Sequence, residues 1–227
     1  MINIKLIDKS VYNLELDSDD LKNHFSDRKN CTLEILHQFN DLNYYDNFIS
    51  KDDNIILDIG GNIGLFSIHV SPYAKKIITL EPTPSHFKLL TKITAKFNNI
   101  TPMNLALSNK SGTERFFTCQ TNSTMNSLIN RGHVYFDVES ISLKDLIVKN
   151  DLNKIDFIKL DIEGSEVIAL NEEVIAFISD KVKKILIETH DVGDGLGYGH
   201  RERFGEMFKN NGYKINYFGP DGVFAYK

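Results

Sequence analysis

The chain is short of cysteine, of long apolar runs and of basic excess, and each shortage excludes a class of protein. Only two of its 227 residues are cysteine, Cys31 and Cys119. Two such distant thiols make neither a metal-ligand spacing nor a framework of bridges, so a reduced, cytoplasmic setting is expected. No stretch approaches the roughly 18 apolar residues of a membrane span, and residues 1–5 lack the apolar core of a signal peptide. Membrane insertion is therefore not expected. The net charge is −5, with acids and bases well mixed. A nucleic-acid binder usually presents a basic face, so that partner is excluded too.

Two nucleotide fingerprints are also missing. A dinucleotide motif starting at Gly60 needs glycine where Asn62 and Leu65 stand. Starting at Gly61, it needs glycine where Ile63 and Phe66 stand. No G-x-x-x-x-G-K-[ST] occurs, so there is no phosphate-cradling P-loop of that kind. Repeats and low-complexity segments are absent, and the length suits one domain.

What is present centres on Asn54-Ile55-Ile56-Leu57-Asp58-Ile59-Gly60-Gly61-Asn62-Ile63-Gly64-Leu65-Phe66. The apolar run is long enough for a buried strand and too short for a helix. It breaks at Gly60-Gly61, where a tight turn is expected. Apolar residues resume at Ile63, Leu65, Phe66 and Ile68, the pattern of a helix packed on a sheet. Strand, glycine turn and helix open a nucleotide-binding α/β unit. The acid just before the turn, Asp58, would repel a pyrophosphate. It suits a ligand with an ammonium or sulfonium group, and S-adenosylmethionine carries both. Glu81 ends the next apolar run, Ile77-Ile78-Thr79-Leu80, 23 residues after Asp58. An acid at that place can take a ribose diol.

The rest of the chain alternates short strands with helices, the pattern of a largely parallel sheet. Residues 2–16 read as a hairpin turning at Asp8-Lys9-Ser10, and residues 19–50 as helical. Pro84 opens a helix with Phe87, Leu90, Ile93 and Phe97 on one face. Residues 103–107 read as a third core strand, followed by β-like runs at 113–118 and 133–138. The polar loop 120–132 between them reads equally as a site wall or a solvated tip. Leu143, Leu146 and Ile147 mark a short helix. Residues 155–160 form the fourth core strand, ending in Asp161, and a helix opens at Glu163-Gly164-Ser165-Glu166. Residues 185–187 form the fifth strand, ending in Glu188-Thr189-His190. A glycine-rich loop, a helix around 203–210 and a hairpin turning at Gly219-Pro220-Asp221-Gly222 close the chain. Ligands of open α/β sheets bind at the carboxyl ends of the strands. Asp58, Glu81, Ala106, Asp161 and Glu188 all fall at such ends in this reading.

Four stretches resemble the FkbM-type methyltransferases. They are Leu57-Asp58-Ile59-Gly60-Gly61-Asn62-Ile63-Gly64-Leu65-Phe66-Ser67, Asn104-Leu105-Ala106-Leu107-Ser108, Ile158-Lys159-Leu160-Asp161-Ile162-Glu163-Gly164-Ser165-Glu166 and Leu186-Ile187-Glu188-Thr189-His190. The resemblance implies a Rossmann-like class I methyltransferase fold of the α/β class. Its sheet would be mostly parallel with an antiparallel C-terminal hairpin and helices on both faces. A hairpin and helical extension over residues 1–50 would pack on a methyltransferase domain over residues 51–227. S-adenosylmethionine would be held by Asp58, Gly60, Gly61, Asn62, Gly64, Glu81, Pro82, Asn104, Ala106 and Asp161.

The expected activity is O-methylation of a small-molecule or saccharide hydroxyl, in a natural-product or surface-polysaccharide pathway. Asp161, Glu163 and His190 are the expected catalytic residues. His190 would be the base, because an unperturbed imidazole titrates near neutrality. Asp161 and Glu163 would orient the substrate or raise the basicity of a neighbour. No metal is expected, although Asp161, Glu163 and Glu188 offer the carboxylates that hard cations use. The alternatives are N-methylation in the same fold, an NAD-linked oxidoreductase, and a non-catalytic nucleotide-binding module.

Overall fold

Short runs of isoleucine, leucine and valine build the central sheet, because such residues fit a pleated surface buried on both faces. A computed structural model describes residues 2–14, 43–118, 125–130, 134–195 and 199–227. Its first elements are strands β1 (Ile2–Lys5) and β2 (Val11–Leu14), which pair antiparallel as the expected hairpin. A single helical turn, α1 (Asn43–Asp46), follows. The rest of the expected helical segment, residues 19–42, lies outside the described residues, as do Cys31 and Cys119.

The main sheet then begins with β3 (Ile55–Ile59), helix α2 (Leu65–Val70), β4 (Lys76–Leu80), helix α3 (Pro84–Thr94) and β5 (Ile100–Met103). A small second sheet interrupts it, made of β6 (Ala106–Ser108), β7 (Gly112–Phe117) and β8 (Tyr135–Ser142). Helix α4 (Leu143–Lys149) leads back to β9 (Ile155–Leu160). Two short helices, α5 (Glu166–Ala169) and α6 (Glu172–Ile178), precede β10 (Val182–Glu188). Helix α7 (His200–Asn210) and the hairpin β11 (Lys214–Phe218) and β12 (Gly222–Tyr226) complete the chain.

The main sheet runs β11-β12-β10-β9-β3-β4-β5. Strands β5, β4, β3, β9 and β10 are parallel, and β12 runs antiparallel to both β10 and β11. The order reverses between β3 and β9, which makes their carboxyl ends the topological switch point of the sheet. Alternate residues feed two cores on opposite faces. Ile56, Phe157 and Leu186 join α2, α3 and the N-terminal residues Leu6 and Ile7 on one side. Leu57, Ile158 and Ile187 join α4, α5, α6 and α7 on the other. Helices thus cover both faces, as the sequence implies.

Two local expectations need correction. Residues 103–107 are not one strand. The chain leaves the main sheet after Met103, because Asn104 turns its Nδ2 onto the carbonyls of Glu81 and Pro82 at 2.8 and 3.0 Å. Ala106 therefore opens β6 of the small sheet and does not stand at a carboxyl end of the main one. The helix expected from Glu163 is also two helices. Asn171 breaks it by capping α6, accepting the Val174 N–H at 2.9 Å.

Phe157 sits at the centre of β9, fully buried, with its ring 6.2 Å from that of Phe66 on α2. Phe157→Ala should cost about 3–5 kcal/mol in urea unfolding, the range for removing a buried aromatic ring. A loss below about 1 kcal/mol would show that the sheet and α2 do not pack as described.

Candidate active site

The switch point is held by a row of polar side chains inside an apolar sheet. In the registers of β4, β3 and β9, Thr79, Asp58 and Lys159 stand side by side. Neighbours in register on parallel strands share a face, so all three point into the core beneath α2. Asp58 is fully buried. Its Oδ2 accepts from Ser67 Oγ at 2.7 Å and from Thr79 Oγ1 at 3.3 Å. Lys159 Nζ stands 3.8 Å from Asp58 Oδ1 and 3.2 Å from Asp161 Oδ2, and donates to the Gly60 carbonyl at 3.4 Å. Burial works against the Lys159 charge, but Asp161 and Asp58 outweigh it and raise its pKa. Burial pushes the Asp58 carboxyl up, with Lys159, Ser67 and Thr79 pulling the other way.

The glycine turn is shaped by the same contact. Gly60 has φ +83°, and a Cβ there would lie 1.8 Å from the Asp161 carbonyl oxygen. No other residue fits between the ends of β3 and β9. The Asp161 N–H donates to the Ile59 carbonyl at 3.1 Å, and the Gly60 and Gly61 N–H groups donate to Leu80. A Cβ on Gly61 would sit 2.0 Å from Thr79 Oγ1, and one on Gly64 2.4 Å from Leu90 Cδ1.

Glu81 follows β4 and is 5% exposed. Its Oε2 accepts the Asn62 N–H at 3.0 Å and its Oε1 the Thr83 N–H at 2.8 Å. His86 Nδ1 stands 3.6 Å from Oε1. Burial alone would raise this carboxyl, but His86 and Thr83 together hold it below the usual range. Pro82 is buried beside it, and Asn104 ties both residues' carbonyls.

On the other side of the switch point the chain bends sharply after Asp161. Glu163 has φ +56° and Gly164 φ +96°. A left-handed glutamate is strained, a state that persists mainly where function requires it. The bend sets Asp161, Glu163 and His190 in one group. His190 Nε2 lies 3.8 Å from Asp161 Oδ1 and 3.6 Å from Glu163 Oε2, while Nδ1 lies 3.3 Å from Glu166 Oε1. Burial lowers the pKa of His190, but Glu166, Glu163 and Asp161 overcome it and push it up to about 10. In this arrangement the ring holds a proton at neutral pH, so a base titrating through pH 6–7 does not follow from it. Glu188, at the end of β10, is pushed up to about 7, first by the charge of Asp161 and then by burial.

The expected site residues fall into two sets. Gly60, Gly61, Asn62, Gly64 and Glu81 line the turn beside β3 and β4, while Asp161, Glu163 and His190 gather beyond β9. Asp58 lies under the turn, braced by protein partners. Asn104 braces Glu81 from outside, and Ala106 is buried in β6. Lys159, Ser67 and Thr79 were not among the expected residues. A lysine within the apolar strand Ile155–Leu160 was the visible signal for the first. The polar loop touches this region at Leu128, whose N–H donates to Ser165 Oγ at 2.9 Å. Residues 119–124 and 131–133 of that stretch lie outside the described residues.

Residues 58–215 match the family model described as the methyltransferase FkbM domain. The chain belongs to the FkbM methyltransferase family. Among curated relatives, AmbE of Pseudomonas aeruginosa, an AMB antimetabolite synthetase, is 21% identical over 75% of this chain and 10% of its own length. AglP of Haloferax volcanii, a hexuronic acid methyltransferase, is 26% identical over 62% of this chain and 58% of its own. The chain thus corresponds to only part of either relative. The solved structure of methyltransferase FkbM from Methylobacillus flagellatus KT aligns with a TM-score of 0.51 and 15% identity, over 93% of this chain and 56% of that one. A precorrin-6y C5,15-methyltransferase from Geobacter metallireducens GS-15 aligns at 0.52 with 17% identity, over 95% and 100%. These two show a shared fold.

S-adenosylmethionine is the cofactor of this FkbM-family chain, and the turn fits it. Among the described residues Asn62 Oδ1 has no hydrogen-bond partner, so this buried acceptor is available to a donor of the cofactor. Glu81 spends its oxygens on two N–H groups and His86, and a carboxylate has about four lone-pair sites, so capacity remains. The NAD-linked alternative is set aside by the family match and by the failed fingerprint.

Lys159→Met should destabilise the protein by about 3–5 kcal/mol, the cost of leaving a buried charge without its partner. Adding Asp58→Asn should recover part of that loss, because the fully buried carboxylate is then gone and only the partly exposed Asp161 lacks its lysine. Urea unfolding of the two variants checks this. A single variant as stable as the parent would dissolve the role given to the polar row.

Proposed function

We propose that this chain transfers the methyl group of S-adenosylmethionine to a hydroxyl of a small, polyhydroxylated acceptor of the saccharide kind. The observation that carries this reading is the placement of Asp161, Glu163 and His190. They are partly exposed, polar, and separated from the glycine turn only by the β3–β9 switch point. The cofactor supplies an already activated methyl group, so the protein's task is alignment, which is worth about 7–11 kcal/mol in favourable cases.

The roles divide along the sheet. Glu81 takes the ribose hydroxyls, and Asn62 and the turn backbone take the polar groups nearby. Asp58 acts from below, holding the turn through Ser67, Thr79 and Lys159. Asp161 faces both halves: its Oδ2 meets Lys159 and its Oδ1 meets His190. Glu163 and His190 face the acceptor, and the hydroxyl proton passes to a carboxylate of this group as the new C–O bond forms and the methyl–sulfur bond breaks, releasing S-adenosylhomocysteine. Two carboxylates and an imidazole suit a polar acceptor rich in oxygen and offer nothing to an apolar one. The hexuronic acid in AglP's name belongs to that relative, and it supports the same class here.

Two measurements test the reading. Glu81→Gln should weaken S-adenosylhomocysteine binding by about 1.5–3 kcal/mol in calorimetry, the worth of hydrogen bonds to a charged group. Unchanged affinity in a folded variant would remove Glu81 from the cofactor site. With labelled S-adenosylmethionine and a panel of uronic acids and neutral sugars, label should enter an ether-linked methyl group. Glu163→Gln should lower kcat about 10²-fold while S-adenosylhomocysteine still binds. Label found only on nitrogen would replace O-methylation by N-methylation.

A further inference from the structure

The group formed by Asp161, Glu163 and His190 has the geometry of a ligand set. One oxygen from each acid and one nitrogen of the imidazole all lie within 4.8 Å of one another. His190 Nε2 is 3.8 Å from Asp161 Oδ1 and 3.6 Å from Glu163 Oε2. Two ligands sharing one ion at about 2.0–2.6 Å each stand at most about 4–5 Å apart. One ion therefore fits among the three with small side-chain movements. The side chains of Asp161, Glu163 and His190 are 28%, 21% and 19% exposed, which leaves coordination positions open on the outer side.

A second, independent observation lies behind the imidazole. Glu166 is 1% exposed, and its Oε1 lies 3.3 Å from His190 Nδ1. The same oxygen accepts the Ile162 N–H at 2.9 Å, which locks the carboxylate in place. Its Oε2 is buried with no hydrogen-bond partner among the described residues. Burying a carboxylate there is costly. An imidazole whose only task is to fill the end of β10 does not need one behind it. A carboxylate on Nδ1 does serve a metal-binding histidine: it fixes the tautomer, turns the Nε2 lone pair forward and makes the ring a better ligand. Asp161 and Glu163 lie on the Nε2 side of the ring, and Glu166 lies behind it at Nδ1.

We infer that Asp161, Glu163 and His190 bind a divalent first-row cation, with Glu166 as the positioning residue behind His190. One imidazole with two carboxylates favours Mn²⁺ over Mg²⁺, which takes oxygen ligands almost alone. The cation replaces the Nε2 proton of His190. The site itself needs no assumption about the reaction, whereas its use rests on the methyl-transfer reading. The open positions would take adjacent oxygens of the acceptor, which suits a hydroxyl beside another hydroxyl or a carboxylate. This departs from the metal-free site expected from the sequence.

Mn²⁺ binding followed by electron paramagnetic resonance tests the assignment, with S-adenosylhomocysteine titrated in parallel. The full chain should take up one Mn²⁺. Glu163→Gln should weaken uptake at least about tenfold, and Glu166→Gln, which removes no ligand, should weaken it about 10–100-fold. A chain that binds S-adenosylhomocysteine but no Mn²⁺ overturns the cation site and leaves the methyl-transfer reading intact. Mn²⁺ uptake without S-adenosylhomocysteine binding supports the site and removes its proposed use. Uptake that is as tight in a folded Glu163→Gln as in the parent also overturns the assignment.

Discussion

The buried cation of Lys159 is the interaction on which the rest of the site depends. It stands where the strand order reverses, and it touches both sides of the reversal. Asp58 on β3, Asp161 after β9 and the Gly60 carbonyl all converge on its Nζ. A lone lysine in that position would lose its charge or unfold the sheet. Surrounded by these acceptors, it keeps its proton and ties the cofactor turn to the acid-rich bend. The Phe66 ring, 5.9 Å from Nζ, closes the same pocket from α2.

That arrangement explains why the two carboxylates beside Lys159 behave so differently. Asp58 lies wholly inside, answered by Ser67, Thr79 and Lys159. Asp161 shares Lys159 but keeps one oxygen for the outer side, toward His190. The turn and the bend are thereby fixed relative to each other by a few ångströms of protein. Gly60 makes the approach possible, since any side chain there would collide with the Asp161 carbonyl.

Much of this was legible in the sequence. Four of the five parallel strands, the C-terminal hairpin and the acids at the strand ends follow from apolar runs broken by Gly, Asp and Glu. The break at Asn171 was readable in principle, because Asn-Glu-Glu is a helix start. What was not legible depends on register and on contacts between distant residues. Nothing local says that Asp58 pairs with Lys159, 101 residues later. Glu166 reads as an acid favoured at a helix start, and only the fold places it against His190, 24 residues away. For the same reason an isolated histidine suggests a neutral base, while three surrounding carboxylates make it a cation or a ligand.

The central claim is that one cleft along the carboxyl ends of β3, β4 and β9 joins the cofactor to the acid–histidine group. A crystal structure of the chain with S-adenosylhomocysteine tests this most directly. The account predicts both ribose hydroxyls within about 3 Å of Glu81, and the sulfur on the side facing Asp161 and His190. A ligand bound away from Glu81, or with its sulfur turned from that group, would contradict it.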